Sequence, residues 1–268
     1  MSVTHEFGKQ TALLCALGVA ILGTGGQAAA APRETGFLNR STVVDDAQRR
    51  YQVYVPRNYT PQAKWPVVLF LHGINERGSD GFQPTQEGIG RAIRLQPEQW
   101  PAIVVFPQCP DDALWMGATT NIAMAALDEV LEEFATDPAR VYLTGLSLGG
   151  NGTWYLGYKY PERFAALVPI AGWVKGSERQ GIPSIPEGDE NPHATVAEVL
   201  TKTPVWIVHG DADAAVSVTE SRQMHAELSA RGAPVIYSEL HGVGHNSWDS
   251  AYANAELIRW MFSQQRAR

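Results

Sequence analysis

The sequence predicts an α/β protein with a mostly parallel central sheet, helices on both faces and no large cap domain. Three observations carry that reading. Short β-branched and aromatic runs recur along the chain, and helical patterns separate them. The most apolar runs, Val67–Leu71 (VVLFL) and Ile103–Phe106 (IVVF), lack polar alternation, as strands buried on both faces require.

Taken in order, Tyr51–Val55 alternates like an early antiparallel strand, and the two apolar runs follow. Val141–Thr144 (VYLT) repeats their pattern, Ala166–Ile170 does so more weakly, and Val205–Val208 (VWIV) and Val235–Tyr237 complete the set. Helical patterns cover Asn121–Phe134 and Thr219–Arg231, and a closing helix is expected near Ala251–Ser263. Lys175–Pro192 (KGSERQGIPSIPEGDENP) breaks the rhythm with Gly, Pro and charge. It reads as a long loop, either a solvated excursion or a rim over an active site, because loops after strand ends build sites in such sheets.

Size and charge bound the function. The chain has 268 residues, 44% hydrophobic and 18% charged, which suits one domain with a full core. A net charge of -7 repels nucleic acid and anionic lipid, so no nucleic-acid partner is expected. Residues 1–30 read as a secretory signal. Lys9 supplies the basic start, Thr11–Gly23 the apolar run, and Ala28–Ala31 the small residues, with cleavage near Ala30. That apolar run is too short to span a bilayer, so no membrane anchor is expected and the mature chain, 31–268, is placed outside the cytoplasm. Cys15 lies in the leader, which leaves Cys109 without an internal disulfide partner. No Cys/His spacing suits zinc, and neither a metal nor an organic cofactor is implied.

The decisive motif is Gly145-Leu146-Ser147-Leu148-Gly149, followed by Gly150. It comes directly after the VYLT run and directly before a helical stretch, the strand–turn–helix setting of a nucleophile elbow. A serine on so sharp a turn leaves little room for neighbouring side chains, hence the glycines. A serine hydroxyl is a weak nucleophile and needs a base that a carboxylate orients. In this architecture acid and base follow the serine in that order. The VWIV strand runs into His209-Gly210-Asp211-Ala212-Asp213, and Gly242-Val243-Gly244-His245-Asn246 follows the last strand. His245 is the expected base; His241 follows its strand at once and is expected to pack there. Asp211 and Asp213 both remain open as the acid, and Asp213, further into the loop, reaches outward more easily. His72 and His209 precede glycines at strand ends and read as structural, hydrogen-bonded histidines, whereas His193 and His225 read as surface residues. Two N–H donors are needed for an oxyanion. Leu148, just after the nucleophile, and Ile74, in the loop His72-Gly73-Ile74-Asn75, are the expected pair.

LHGINERG, PQCP, VYLTGLSLGGNGTW, HGDADAAV and GVGHNSWD, in that order over nearly the whole mature chain, resemble the dienelactone-hydrolase-like and phospholipase/carboxylesterase group of α/β hydrolases. The chain is similar also to secreted feruloyl esterases and polyhydroxybutyrate depolymerases. The resemblance implies the α/β-hydrolase fold, a Ser147, Asp213, His245 triad and an oxyanion donor at Ile74. Two departures stand out. Dienelactone hydrolases carry a cysteine nucleophile where this chain has Ser147, which points to ordinary esters. AGW at Ala171–Trp173 stands where the resemblance leads one to expect AGG or CGG, and Trp173 is expected to narrow the acyl or alcohol pocket. Trp115, after the PQCP loop, and Trp248, three residues after His245, are candidate substrate contacts, with core packing the commoner fate of each; lining a cleft, they would suit small, aromatic or polymer-derived esters. Three rivals are weighed. A serine peptidase like the prolyl oligopeptidase catalytic domain would share fold and triad, but such enzymes usually carry a gating domain, for which this length leaves no room. A non-catalytic binding protein would be expected to lack a triad member. A long-chain lipase would need a more apolar lid than 175–192.

Overall fold

Strand alternation sorts the apolar side chains onto two faces, and a computed structural model shows both faces covered by helices. The structure describes residues 1–2, 34–177 and 181–266, so the expected leader lies essentially outside the described residues. Eight strands form one sheet: β1 (Gly36–Val44), β2 (Ala47–Val55), β3 (Trp65–Leu71), β4 (Ile103–Pro107), β5 (Thr136–Leu146), β6 (Ala166–Ile170), β7 (Val205–Gly210) and β8 (Val235–Leu240). Their spatial order is β1-β2-β4-β3-β5-β6-β7-β8. The β1–β2 and β2–β4 pairings are antiparallel and all the others parallel.

Val67, Leu69 and Leu71 of β3 face one core with Val105, Leu143 and Ile207. That core is covered by α2 (Thr120–Glu133), α3 (Leu148–Lys159), α4 (Pro192–Val199) and α5 (Val218–Ala230). Val68 and Phe70 face the other with Val104, Phe106 and Tyr142. There α1 (Ile89–Leu95), α6 (Trp248–Ala253) and α7 (Ala255–Ser263) complete the packing.

The structure adds α1 and α4 to the helices read from sequence and differs from that reading at three further places. β1 carries no clear strand signal in the sequence because it is an edge strand, half-exposed along most of its length, with Asn39, Arg40 and Ser41 interrupting the apolar residues. It turns into β2 through Asp45-Asp46, with φ of 53° and 57°, a two-residue hairpin loop that β-register Val44↔Ala47 closes. The expected closing helix is two helices, because Asn254 stops α6 in an extended conformation and its side chain caps α7 by accepting from the N–H groups of Glu256 and Leu257. Within the long polar loop, Ser177 and Ile182 form an antiparallel bridge and Ile185 is fully buried, so part of that loop is anchored rather than a free excursion.

All six parallel strands end at one edge of the sheet. That topology delivers the residues after β3, β5, β6, β7 and β8 to a common rim.

Candidate active site

At this rim β5 ends on Leu146, and the chain turns into α3 at Ser147, whose φ of 52° and ψ of -114° lie outside the ordinary regions for a non-glycine residue. The turn is this tight because α3 packs directly on the end of β3. A Cβ on Gly149 would stand 1.8 Å from the carbonyl oxygen of Leu71, which leaves only glycine. Ser147 N–H donates to the Ile170 carbonyl at 2.9 Å, tying the bend to β6.

The three motifs meet here. His245 Nε2 lies 2.9 Å from Ser147 Oγ, and His245 Nδ1 lies 2.7 Å from Asp213 Oδ2. Ser147 and Asp213 are buried, while the His245 side chain keeps 28% of its surface open to the rim. Of the two carboxylates, Asp213 is the one beside His245. Asp213 Oδ1 accepts from the N–H groups of Ala215 and Val216 at 2.8 and 2.9 Å, leaving Oδ2 for the imidazole. Asp211 instead faces His241 Nδ1 at 2.8 Å and accepts the Gly242 N–H at 2.7 Å. Burial pushes the Asp213 carboxyl up, but hydrogen bonds from His245, Val216 and Ala215 outweigh it and hold it below the usual carboxylate range. It is therefore an anion at neutral pH, and it fixes the proton of His245 on Nδ1. Nε2 is then free to accept from Ser147.

The loops flanking the serine are fixed by two buried histidines. His72 Nε2 accepts the Cys109 N–H at 3.0 Å, so Nδ1 carries the proton and donates to Gly73 O at 2.6 Å. Burial lowers His72 to about 4, so it is neutral at neutral pH. His209, fully buried at the end of β7, places Nε2 3.2 Å from Asp213 Oδ2 and 3.1 Å from Val216 O, and Nδ1 2.7 Å from Ser221 Oγ. Burial also lowers His209. Cys109 is buried and its thiol is pushed up to about 12, so it is inert as a nucleophile at neutral pH.

Leu148 is the first residue of α3, where the helix leaves N–H groups without intrahelical partners and the macrodipole favours negative charge. Ile74 opens a 3₁₀ turn at Ile74–Glu76, directly after the end of β3, and its side chain is exposed.

Of the three tryptophans, Trp248 and Trp173 are half-buried. Trp248 meets the His245 ring edge-on, with centroids 5.2 Å apart at 86°. Trp173 lines a partly polar cavity of about 300 Å³ that also includes Lys175, Ser177, Val216, Ser217 and Glu220. Trp115 takes the core-packing alternative and is not a substrate contact. It is completely buried, its Nε1 donates to His72 O at 3.1 Å, and it therefore buttresses the loop after β3 from behind instead of lining a cleft. His193 is corrected too. It is buried against Glu220, with Nε2 and Oε2 2.9 Å apart, and this carboxylate also accepts the N–H groups of Val174 and Lys175. The start of the polar loop is thereby pinned to α5.

Residues 114–265 match the model of the prolyl oligopeptidase family, over more than half of the chain. A protein of Arthroderma benhamiae, named an uncharacterized secreted protein, is 26% identical over 248 residues, 85% of this chain and 26% of its own. The poly(3-hydroxybutyrate) depolymerase of Ralstonia pickettii is 29% identical over 144 residues, 48% of this chain and 30% of its own. A solved structure of a thermostable esterase superposes with a TM-score of 0.70 at 30% identity, covering 86% of this chain and 63% of that one. This chain thus spans about a quarter to a third of the length of these two curated relatives.

Proposed function

The chain belongs to the prolyl oligopeptidase family, and from that premise we propose that it is a serine-dependent carboxylic ester hydrolase working through an acyl-enzyme. The observation that carries the proposal is the hydrogen-bonded series Ser147, His245, Asp213, at 2.9 and 2.7 Å, on a strained elbow. Ser147 Oγ attacks the ester carbonyl carbon as its proton passes to His245 Nε2. The N–H groups of Leu148 and Ile74 hold the oxyanion. His245 then protonates the departing alcohol, leaving the acyl group on Ser147. A water molecule gives a proton to His245 and attacks the acyl carbon, and the carboxylic acid leaves as Ser147 regains its proton.

Trp248, edge-on to the His245 ring, and the half-buried Trp173 support small or aromatic acyl or alcohol groups. Polymeric esters fit this reading when only a terminal or side-chain unit enters. The apolar leader and the relative named as secreted support a secreted or periplasmic protein whose catalytic domain begins near residue 31. Among the described residues no helix is long and apolar enough to cross a membrane.

A second reading, peptide hydrolysis, is favoured by the family's own description. One panel separates the two: acetyl, butyryl and feruloyl esters against peptide nitroanilides. Turnover of the esters with peptides at least 100-fold slower is expected; comparable or faster peptide cleavage overturns the esterase reading.

A further inference from the structure

We propose that His209, sealed from solvent at the end of β7, positions and electrostatically tunes the catalytic acid through a buried chain Ser221–His209–Asp213. The proposal rests on the triad read above and extends it by one imidazole and one hydroxyl.

The geometry dictates the tautomer. His209 Nε2 faces two acceptors, Asp213 Oδ2 at 3.2 Å and Val216 O at 3.1 Å, so Nε2 must carry the proton. Nδ1 is then the acceptor, and Ser221 Oγ, 2.7 Å away on α5, donates to it. Both His209 and Ser221 are sealed from solvent, so water offers no alternative partner. Asp213 consequently receives four donors: the Ala215 and Val216 N–H groups on Oδ1, and the imidazoles of His245 and His209 on Oδ2. One carboxylate oxygen thus serves two rings at once. What His209 withdraws from Oδ2 is not available to His245, and the plane in which Oδ2 meets His245 is set partly by His209.

The other charged groups near His209 do not replace this role. Glu239, its register partner on β8, is held by Arg222 of α5, with Nη2 and Oε1 2.6 Å apart. Across Asp213 the next titratable group is His245 itself. Burial favours the neutral form of His209, the form that donates through Nε2 alone. A histidine four residues before an acid is also a spacing that the strand end forces. His209 is the penultimate residue of β7 and Asp213 lies past the turn that follows, so the two side chains fold back onto one another.

Two readouts on the full chain test the proposal. One is the rate at which a fluorophosphonate labels Ser147, which requires no knowledge of the substrate. The other is the pH profile of that rate, normalised to labelled protein. His209→Leu removes the donor. It is expected to slow labelling by about 10- to 100-fold and to move the acidic midpoint of the profile upward by roughly half a unit, because Asp213 then interacts with His245 alone. His209→Gln places an amide N–H near the Nε2 position and is expected to recover most of the rate and the original midpoint. A Leu variant that labels within threefold of the parent overturns the proposal. So does a slow Leu variant with an unmoved midpoint that Gln does not rescue, since a packing defect alone behaves that way. If His209→Leu does not fold, Ser221→Ala decides. A smaller shift of the midpoint in the same direction supports the chain, and an unmoved midpoint overturns it. Failure of the esterase reading shows separately, as a parent that labels at Ser147 yet turns over no ester.

Discussion

Replacing Asp213 by asparagine preserves the shape of the acid and reverses what His245 is offered. Asp213 Oδ1 sits 2.8 and 2.9 Å from the N–H groups of Ala215 and Val216. Two donors at that corner require an acceptor, so the amide oxygen occupies it and the NH₂ group takes the place of Oδ2. There it points at His245 Nδ1, 2.7 Å away, and at His209 Nε2, 3.2 Å away. His245 is forced to accept at Nδ1, and its proton moves to Nε2. No lone pair then faces Ser147 Oγ at 2.9 Å, and the hydroxyl has no base. The lost transition-state stabilisation is about 5 kcal/mol, a fall in kcat of about 10⁴-fold. Initial rates on a nitrophenyl ester at pH 8, per mole of folded protein, measure it, and a thermal melt shows whether the fold survives. A folded Asp213→Asn variant within tenfold of the parent refutes the tautomer argument.

Other perturbations have outcomes that follow as directly. His72 is neutral and buried with its pKa near 4, against about 6.5 in the unfolded chain. The unfolded state therefore binds the proton first. The contribution of His72 to stability is complete above pH 6.5, is lost as pH falls to 4, and is constant below. Parent minus His72→Gln urea stabilities are expected to shrink by about 3 kcal/mol across that window, and a pH-independent difference contradicts the account. Gly149→Ala puts a Cβ 1.8 Å from Leu71 O, a backbone atom that has nowhere to go. The expected result is loss of soluble protein or of at least about 100-fold in labelling rate, and a normal Tm with normal labelling contradicts it. Tyr252→Phe removes the buried hydroxyl 2.9 Å from Thr144 Oγ1, while Thr144 keeps its bond to Val168 O. Denaturation is expected to register about 1 kcal/mol, with turnover unchanged.

Much of this site is legible in the sequence because its strain leaves marks. Gly145, Gly149 and Gly150 surround Ser147 because no side chain fits between α3 and the ends of β3 and β6. Parallel strands buried on both faces announce themselves as uninterrupted apolar runs. Other features depend on contacts that no local pattern encodes. Asp211 and Asp213 differ only in which loop amides and which histidine each one meets. Trp115 and Trp248 each lie close to a loop of the site in sequence, yet one is sealed behind His72 and the other stands against His245. Nothing local to His193 marks it as buried, because the Glu220 it meets comes from α5. The β1 edge strand has little apolar alternation to detect because one of its sides faces solvent.

The central claim is that Ser147 carries the acyl group. Intact-mass and peptide-mapping spectrometry of protein quenched during turnover of a slow aryl ester tests it most directly. One acyl adduct per chain is expected, on Ser147, and absent from Ser147→Ala. An adduct on another residue, or full turnover by the Ser147→Ala protein, contradicts it.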